Sequence, residues 1–244
     1  MRALLSLMLA AAALCAHADE NDWRVPFIAT PGDVVERMLE LAVTGPRDLV
    51  ADLGSGDGRI VIAAARKYGA RGLGIELDER LAEASRKNAE AAGVAERITI
   101  VTGDVLTADF SQATVVTVYL LPGLIGQLEP RFLRELRPGT RIVSHSFRMA
   151  SWRPDRSETL RVTQPHPGQG DESTLYLWIV PADVRGTWDG GGRSVRIEQN
   201  YQEIEVNGTR GRVAGNDISW GKFRGRVQDG RIVGDDGVVL ERSR

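Results

Sequence analysis

The chain has 244 residues, 42% of them apolar and 26% charged, proportions that exclude a largely disordered or collagen-like protein. Its formal net charge is −2, and its 31 basic residues comprise 28 Arg and three Lys without clustering. Charge therefore does not favour a nucleic-acid surface, and no nucleic-acid partner is expected.

Residues 1–18 read as a signal peptide. Arg2 supplies a positive start, Ala3 to Ala16 form an apolar run, and Ala16-His17-Ala18 fits a small-x-small cleavage pattern. That run is too short for a comfortable membrane span. The expectation is an exported chain, periplasmic or secreted, with no stable span after cleavage; an uncleaved leader would anchor it to a membrane instead. Cleavage leaves 226 residues, enough for one large α/β domain or a medium domain with a small one. It also removes Cys15, the one cysteine, and leaves His145 and His166 as the only histidines. No His/Cys cluster has metal-ligand spacing, and no metal is expected.

Composition divides the remainder near Pro181–Arg185. Residues 19–182 hold all ten prolines, whereas residues 183–244 hold none and carry 12 of the 27 glycines. In the first part, Thr30 is the expected N-cap and Pro31 the first residue of a helix bearing Val34, Val35, Met38, Leu39 and Leu41. Strands follow at Asp48–Leu53, Arg71–Leu77, Ile98–Thr102, Ala113–Tyr119 and Thr140–Ser146. Helices intervene at Arg59–Lys67, Glu79–Ala92 and Pro122–Leu136. Glu158–Thr163 and Ser173–Ile179 then read as two strands with no helix between them, an antiparallel pair at a sheet edge. This alternation predicts an α/β, Rossmann-like, doubly wound, mostly parallel sheet of seven strands. The Pro/Gly-rich stretch Gln164–Glu172, with His166, reads as a hairpin connection; a substrate-side lid is the functional alternative. Residues 183–244 alternate apolar and polar positions between turns such as Asn207-Gly208 and Asp229-Gly230. They predict a small all-β domain, a meander or a barrel. Trp188, Tyr201 and Trp220 are expected to form its core rather than a binding surface.

The chemistry concentrates at Val50-Ala-Asp52-Leu-Gly54-Ser55-Gly56-Asp57-Gly58-Arg59, where a strand ends, glycines turn and a helix begins. Glycines let a ligand approach the backbone, and the helix N-terminus offers unpaired N–H groups. The G-x-G-x-G spacing departs from the G-x-G-x-x-G of dinucleotide sites. Asp52 at the strand end would oppose a pyrophosphate and favour a cation, an ammonium or a sulfonium. Glu76 ends the second strand, where a carboxylate can accept ribose hydroxyls. Asp104 follows the third, where it can accept from an adenine amino group. Three acids at three successive strand ends are a far more specific signal than the glycines alone.

This set resembles the class I, seven-strand S-adenosylmethionine (SAM)-dependent methyltransferases over roughly residues 25–180. The resemblance implies that Asp52, Gly54, Ser55 and Gly56 lie near the methionine moiety of SAM, Glu76 at its ribose and Asp104 at its adenine. A closer resemblance is to the mitochondrial lysine methyltransferases of ATP-synthase c-subunit and adenine nucleotide translocase. It is carried by Asp52–Ala65, Pro26-Phe27 with Thr30-Pro31, Tyr119-Leu-Leu-Pro122, Phe147, and Trp152-Arg-Pro154-Asp155. The β-rich tail and the cleavable leader depart from that family. The resemblance implies methyl transfer to nitrogen, with a protein lysine or a small molecule as acceptor. A neutral amine is the nucleophile, so an aromatic-lined channel is expected rather than an acid/base pair. Tyr119 and Trp152 are the candidate catalytic residues, with Phe147 a further wall and Phe27 and Thr30 closing over the cofactor. Asp155 could attract a cationic acceptor or cap a turn, and His145 reads as a core histidine before a general base. The alternative is an exported SAM- or nucleoside-binding module with the same fold and no turnover.

Overall fold

The computed structural model describes residues 27–164 and 170–243. The candidate leader and the centre of the Pro/Gly-rich loop, including His166, lie outside the described residues.

The first helix, α1 (Gly32–Leu41), buries Val34, Val35, Met38, Leu39 and Leu41, the residues its periodicity selects. Its start is one residue later than expected. Pro31 occupies the cap position with φ −57° and ψ 149°, and offers no side-chain capping bond. The proline ring pre-sets an extended entry, and the Pro31 carbonyl accepts the first helical bond, from Val35 N at 2.9 Å.

Alternation then proceeds as β1 (Leu49–Leu53), α2 (Arg59–Tyr68), β2 (Arg71–Glu76), α3 (Glu79–Ala91), β3 (Ile98–Thr102), β4 (Val115–Val118), α4 (Pro122–Glu135) and β5 (Arg141–His145). Asp78 caps α3 by accepting from Arg80 N at 2.8 Å. β6 (Arg156–Arg161) and β7 (Glu172–Ile179) complete a seven-stranded sheet of order β3-β2-β1-β4-β5-β7-β6. β7 runs antiparallel between β5 and β6, and the other strands are parallel. Strand order reverses between β1 and β4, so the crevice for a ligand opens at their carboxyl ends.

Both sheet faces are covered. On one, Val34, Met38 and Leu39 of α1 pack on Val50, Val115 and Val143. On the other, Ile125, Leu128 and Phe132 of α4 pack on Ala51, Val116 and Ile142. Pro130 sits inside α4, where its ring would press on the carbonyl four residues back.

Residues 186–242 form β8 (Gly186–Gly190), β9 (Arg193–Asn200), β10 (Glu203–Val206), β11 (Thr209–Ala214), β12 (Asp217–Trp220), β13 (Phe223–Gln228), β14 (Arg231–Gly234) and β15 (Val239–Arg242). Structure decides between meander and barrel: β15 returns to pair with β8, Arg242 opposite Trp188, and the barrel closes. Closure removes both sheet edges. Trp188, Val195, Ile197, Ile204, Val213, Ile218, Ile232 and Leu240 fill the interior. A Cβ at Gly190, Gly211 or Gly225 would collide with a carbonyl of the adjacent strand, Val239, Ser219 or Val233 respectively. These glycines allow eight short strands to coil this tightly.

Candidate active site

The turn after β1 holds three left-handed glycines, Gly54 at φ +79°, Gly56 at +54° and Gly58 at +81°. Gly54 N and Ser55 N both donate to the Ile75 carbonyl, at 2.9 and 3.0 Å, which moors the turn to β2. A Cβ at Gly56 would enter the Phe27 ring, so Phe27 lies across the turn, with 47% of its surface exposed. Thr30 is buried, and its carbonyl accepts from Arg59 Nη1 at 2.8 Å. Arg59 also grips Asp57 through Nε at 2.9 Å and Nη2 at 2.6 Å. The Phe27–Thr30 segment is thereby held against the glycine turn. Ser55 is buried with its hydroxyl turned against Gly74, so its side chain packs the turn from beneath.

The three acids stand at the expected strand ends, in different states. Glu76 is held by two backbone amides: Gly56 N donates to Oε2 at 2.7 Å and Asp78 N to Oε1 at 2.9 Å. Asp104 is exposed and accepts from Leu106 N at 2.8 Å. Asp52 is only 3% exposed and accepts from the Thr117 hydroxyl at 2.7 Å. Burial pushes its carboxyl up to about 7, opposed by the Thr117 hydrogen bond and reinforced by the charges of Glu76 and Asp57.

At the ends of β4 and β5 three rings gather. Tyr119 stands 4.1 Å from His145 and 6.3 Å from Phe147, centroid to centroid. His145 is buried, with Nε2 3.0 Å from Ser173 Oγ. The next residue, Ser146, adopts φ +64° and turns the chain away from the strand, which leaves Phe147 facing Tyr119.

Trp152 is not part of this group, a correction to its candidate catalytic role. It is 0% exposed, donates from Nε1 to Gln202 Oε1 at 2.7 Å, and stacks on Tyr201 at 5.5 Å and 9°. The reason is topological. His145 pairs with Leu175, whereas Arg156 pairs with Leu177 and Ile179 with Arg141. The segment after β5 thus descends to the opposite end of the sheet before β6 begins, and carries Trp152 to the barrel. Asp155 follows it there: it accepts from Ile179 N at 2.7 Å and pairs with Arg212 of β11. Asp155 thus ties β7 to β11 of the barrel, a role neither sequence reading of it foresaw. Tyr201 likewise serves the junction, donating to Glu129 of α4 at 2.7 Å, while Trp188 is core and Trp220 stacks half-buried on Phe223.

Sequence reasoning missed Thr117, Arg59 and Leu120, which packs where a Gly54 Cβ would stand. Arg59 was legible as the residue closing the glycine motif. Thr117 carried no local signal, because its partner lies 65 residues away across a strand pairing. A surface hollow of about 440 Å³ lined by Asp57, Arg59, Arg66, Lys67 and Asn88 lies on the outer side of α2 and α3. The strand-end crevice, where the glycines, acids and aromatic rings converge, is the candidate site.

A sheet with β7 reversed between β5 and β6, a glycine turn after β1 and an acid at each of three strand ends define a class I SAM-dependent methyltransferase. Residues 52–156 match the model of the ANTKMT methyltransferase domain. A protein-lysine N-methyltransferase of Saccharolobus islandicus is 42% identical over 158 residues, 64% of this chain and 94% of that one. The mouse adenine nucleotide translocase lysine N-methyltransferase is 34% identical over 131 residues, 54% of this chain and 57% of that protein, so the chain spans a little over half of that relative. Among solved structures, an RNA methyltransferase from Salinibacter ruber in complex with S-adenosyl-L-homocysteine superposes with a TM-score of 0.58 and 48% identity, covering 64% of this chain and 96% of that one. The chain belongs to this family of SAM-dependent methyltransferases, with SAM as its cofactor.

Proposed function

We propose that this chain transfers the methyl group of SAM to the side-chain nitrogen of a protein lysine. The observation that carries the reading is the Tyr119–His145–Phe147 cluster beside the glycine turn: an aromatic wall at the strand ends, on a chain that spans nearly all of a relative named a protein-lysine methyltransferase.

The residues suit the cofactor. Asp52 is a buried acid whose hydrogen bond comes from a hydroxyl, so it can receive a positive group. Glu76 is oriented by two amides toward sugar hydroxyls, Asp104 remains accessible for an adenine amine, and Phe27 shields the turn. SAM supplies an electrophilic methyl on a sulfonium. The chain's own part is alignment and desolvation. An ammonium of pKa about 10.4 must lose its proton before it attacks, and an apolar, aromatic surround favours the neutral amine. Tyr119 and Phe147 supply that surround and set the approach of the nucleophile.

A reading as a binding module without turnover is not favoured by these relatives. RNA as acceptor has one finding behind it, the name of the Salinibacter structure. The two acceptors separate in one experiment: the full chain, methyl-tritiated SAM, and protein or RNA fractions of a cell extract. Label recovered as methyl-lysine supports the proposal, and label confined to RNA overturns it. We also propose that residues 1–18 direct export. N-terminal sequencing of the mature chain should begin at Asp19, and a chain retaining Met1 would refute that. Among the described residues no helix is long and apolar enough to cross a membrane.

A further inference from the structure

We propose that Thr117 is a positioning residue for the cofactor: its hydroxyl holds the Asp52 carboxylate as the receptor for the positive end of SAM. This rests on the SAM-dependent reading of the site, and not on the identity of the acceptor.

Thr117 lies in β4 directly opposite Asp52 in β1, so hydroxyl and carboxylate stand on the same sheet face. Both are buried, and the 2.7 Å bond between them is the one hydrogen bond Asp52 receives among the described residues. The charged neighbours are otherwise committed. Glu76, from β2, is oriented by accepting from Gly56 N and Asp78 N, one at each oxygen. Asp57, from the glycine turn, is held by Arg59. Tyr119 and His145 share the face of Asp52 one pair further along β4 and β5, and they engage one another. Among the described residues no protein cation contacts Asp52, although two acids act on it.

A carboxylate so placed tends to keep a proton, and a protonated acid attracts no cation. Burial and the charges of Glu76 and Asp57 push Asp52 up to about 7, and the Thr117 hydroxyl opposes them. SAM carries a sulfonium and an ammonium, so binding should expel the Asp52 proton. Removing the hydroxyl should move this transition to higher pH. Thr117→Val keeps the branched shape and loses the donor; Thr117→Ser keeps the donor and loses the methyl.

The test is calorimetric titration of the full chain with SAM at pH 6.5, 7.5 and 9, with thermal melts to verify folding. A hydrogen bond to a charged group supports an expected loss of about tenfold in affinity for Thr117→Val at pH 7.5, narrowing to about threefold or less at pH 9, with Thr117→Ser within about twofold of the parent. At pH 6.5 the parent's binding enthalpy should change with the ionisation enthalpy of the buffer, reporting proton release. Parent-like affinity in Thr117→Val, a gap that does not change with pH, or a Thr117→Ser as weak as the valine variant would overturn the proposal. So would a buffer-independent enthalpy in the parent, which keeps the test decisive even if the valine variant does not fold.

Discussion

Asp52 is buried while the charges of two other acids, Glu76 and Asp57, act on it. Its carboxyl titrates near 7 in the folded chain, above the ordinary value near ~3.9, so the folded state holds the proton more tightly than the unfolded one. The stabilisation that follows is complete below about pH 4 and disappears as pH climbs through about 7. Asp52→Asn mimics the neutral acid without titrating. In the absence of SAM it should raise the melting temperature at pH 8 by about 5 °C, reflecting a few kcal/mol, and change it little at pH 4.5. The same variant should bind SAM at least about tenfold more weakly by calorimetry, since a charge-assisted contact is lost. A lower melting temperature at pH 8 would contradict this account of the site. Tyr119 is the complementary case, the residue proposed above to face the acceptor. Tyr119→Ala should reduce turnover about tenfold or more while leaving SAM affinity within about threefold, because only alignment of the nucleophile is lost. A matching loss of SAM affinity would move Tyr119 to the cofactor side.

At the scale of elements, the glycine turn and the segment after β5 show opposite degrees of legibility. Asp52-Leu-Gly-Ser-Gly-Asp-Gly-Arg59 specifies its own conformation, since only glycine suits the left-handed positions at Gly54, Gly56 and Gly58. The path of residues 146–155 is set elsewhere, by the pairing of β6 on β7 that draws Asp155 under Ile179. The resemblance of Trp152-Arg-Pro154-Asp155 to the segment after the fifth strand of the lysine methyltransferases implies that Trp152 is a channel residue. Its large apolar ring is instead claimed by the sheet end opposite the crevice, where Trp178 donates to its carbonyl at 2.9 Å and Tyr201 stacks on its face. Trp152→Ala should therefore cost about 3–5 kcal/mol of stability in urea unfolding, the range for emptying an aromatic core site. SAM affinity measured under native conditions should be unchanged. If binding fails and stability holds, the placement of Trp152 is wrong.

Across the whole molecule, the barrel joins the methyltransferase sheet through one of its ends. The turn Tyr201-Gln202 reaches Trp152, Arg153 and Glu129, and Gly215 accepts from Ala182 N at 2.8 Å. Antiparallel hairpins place Gly221 and Lys222 at the other end of the barrel, away from the sheet. The crevice lies at the carboxyl ends of β1, β2 and β4, so the barrel leaves it open. Hydrogen bonds and the stacking of Tyr201 on Trp152 cross this junction, and they should couple the folding of the two parts. Burial holds the Asp155 carboxyl above its usual range against the Ile179 amide and Arg212, so part of the contact is an ion pair with a desolvation cost. Scanning calorimetry of the intact chain should show one unfolding transition. Tyr201→Ala combined with Arg212→Ala should split it in two without altering SAM affinity, as expected when an interdomain contact is removed. A single transition in the double variant would mean that the barrel and sheet are coupled by other contacts.

What could be read from local order was the alternation of strand and helix, the glycine turn, the acids closing three strands, and the change of composition near Pro181. Each is written in neighbouring residues, where periodicity, glycine geometry and strand-end placement act over a few positions. Three matters required the folded chain: closure of the barrel by β15 on β8, the meeting of Asp52 with Thr117, and the burial of Trp152 beneath Tyr201. All three join residues about 50 or more apart, and their partners are chosen by register and sheet order. Local propensity carries no record of that choice.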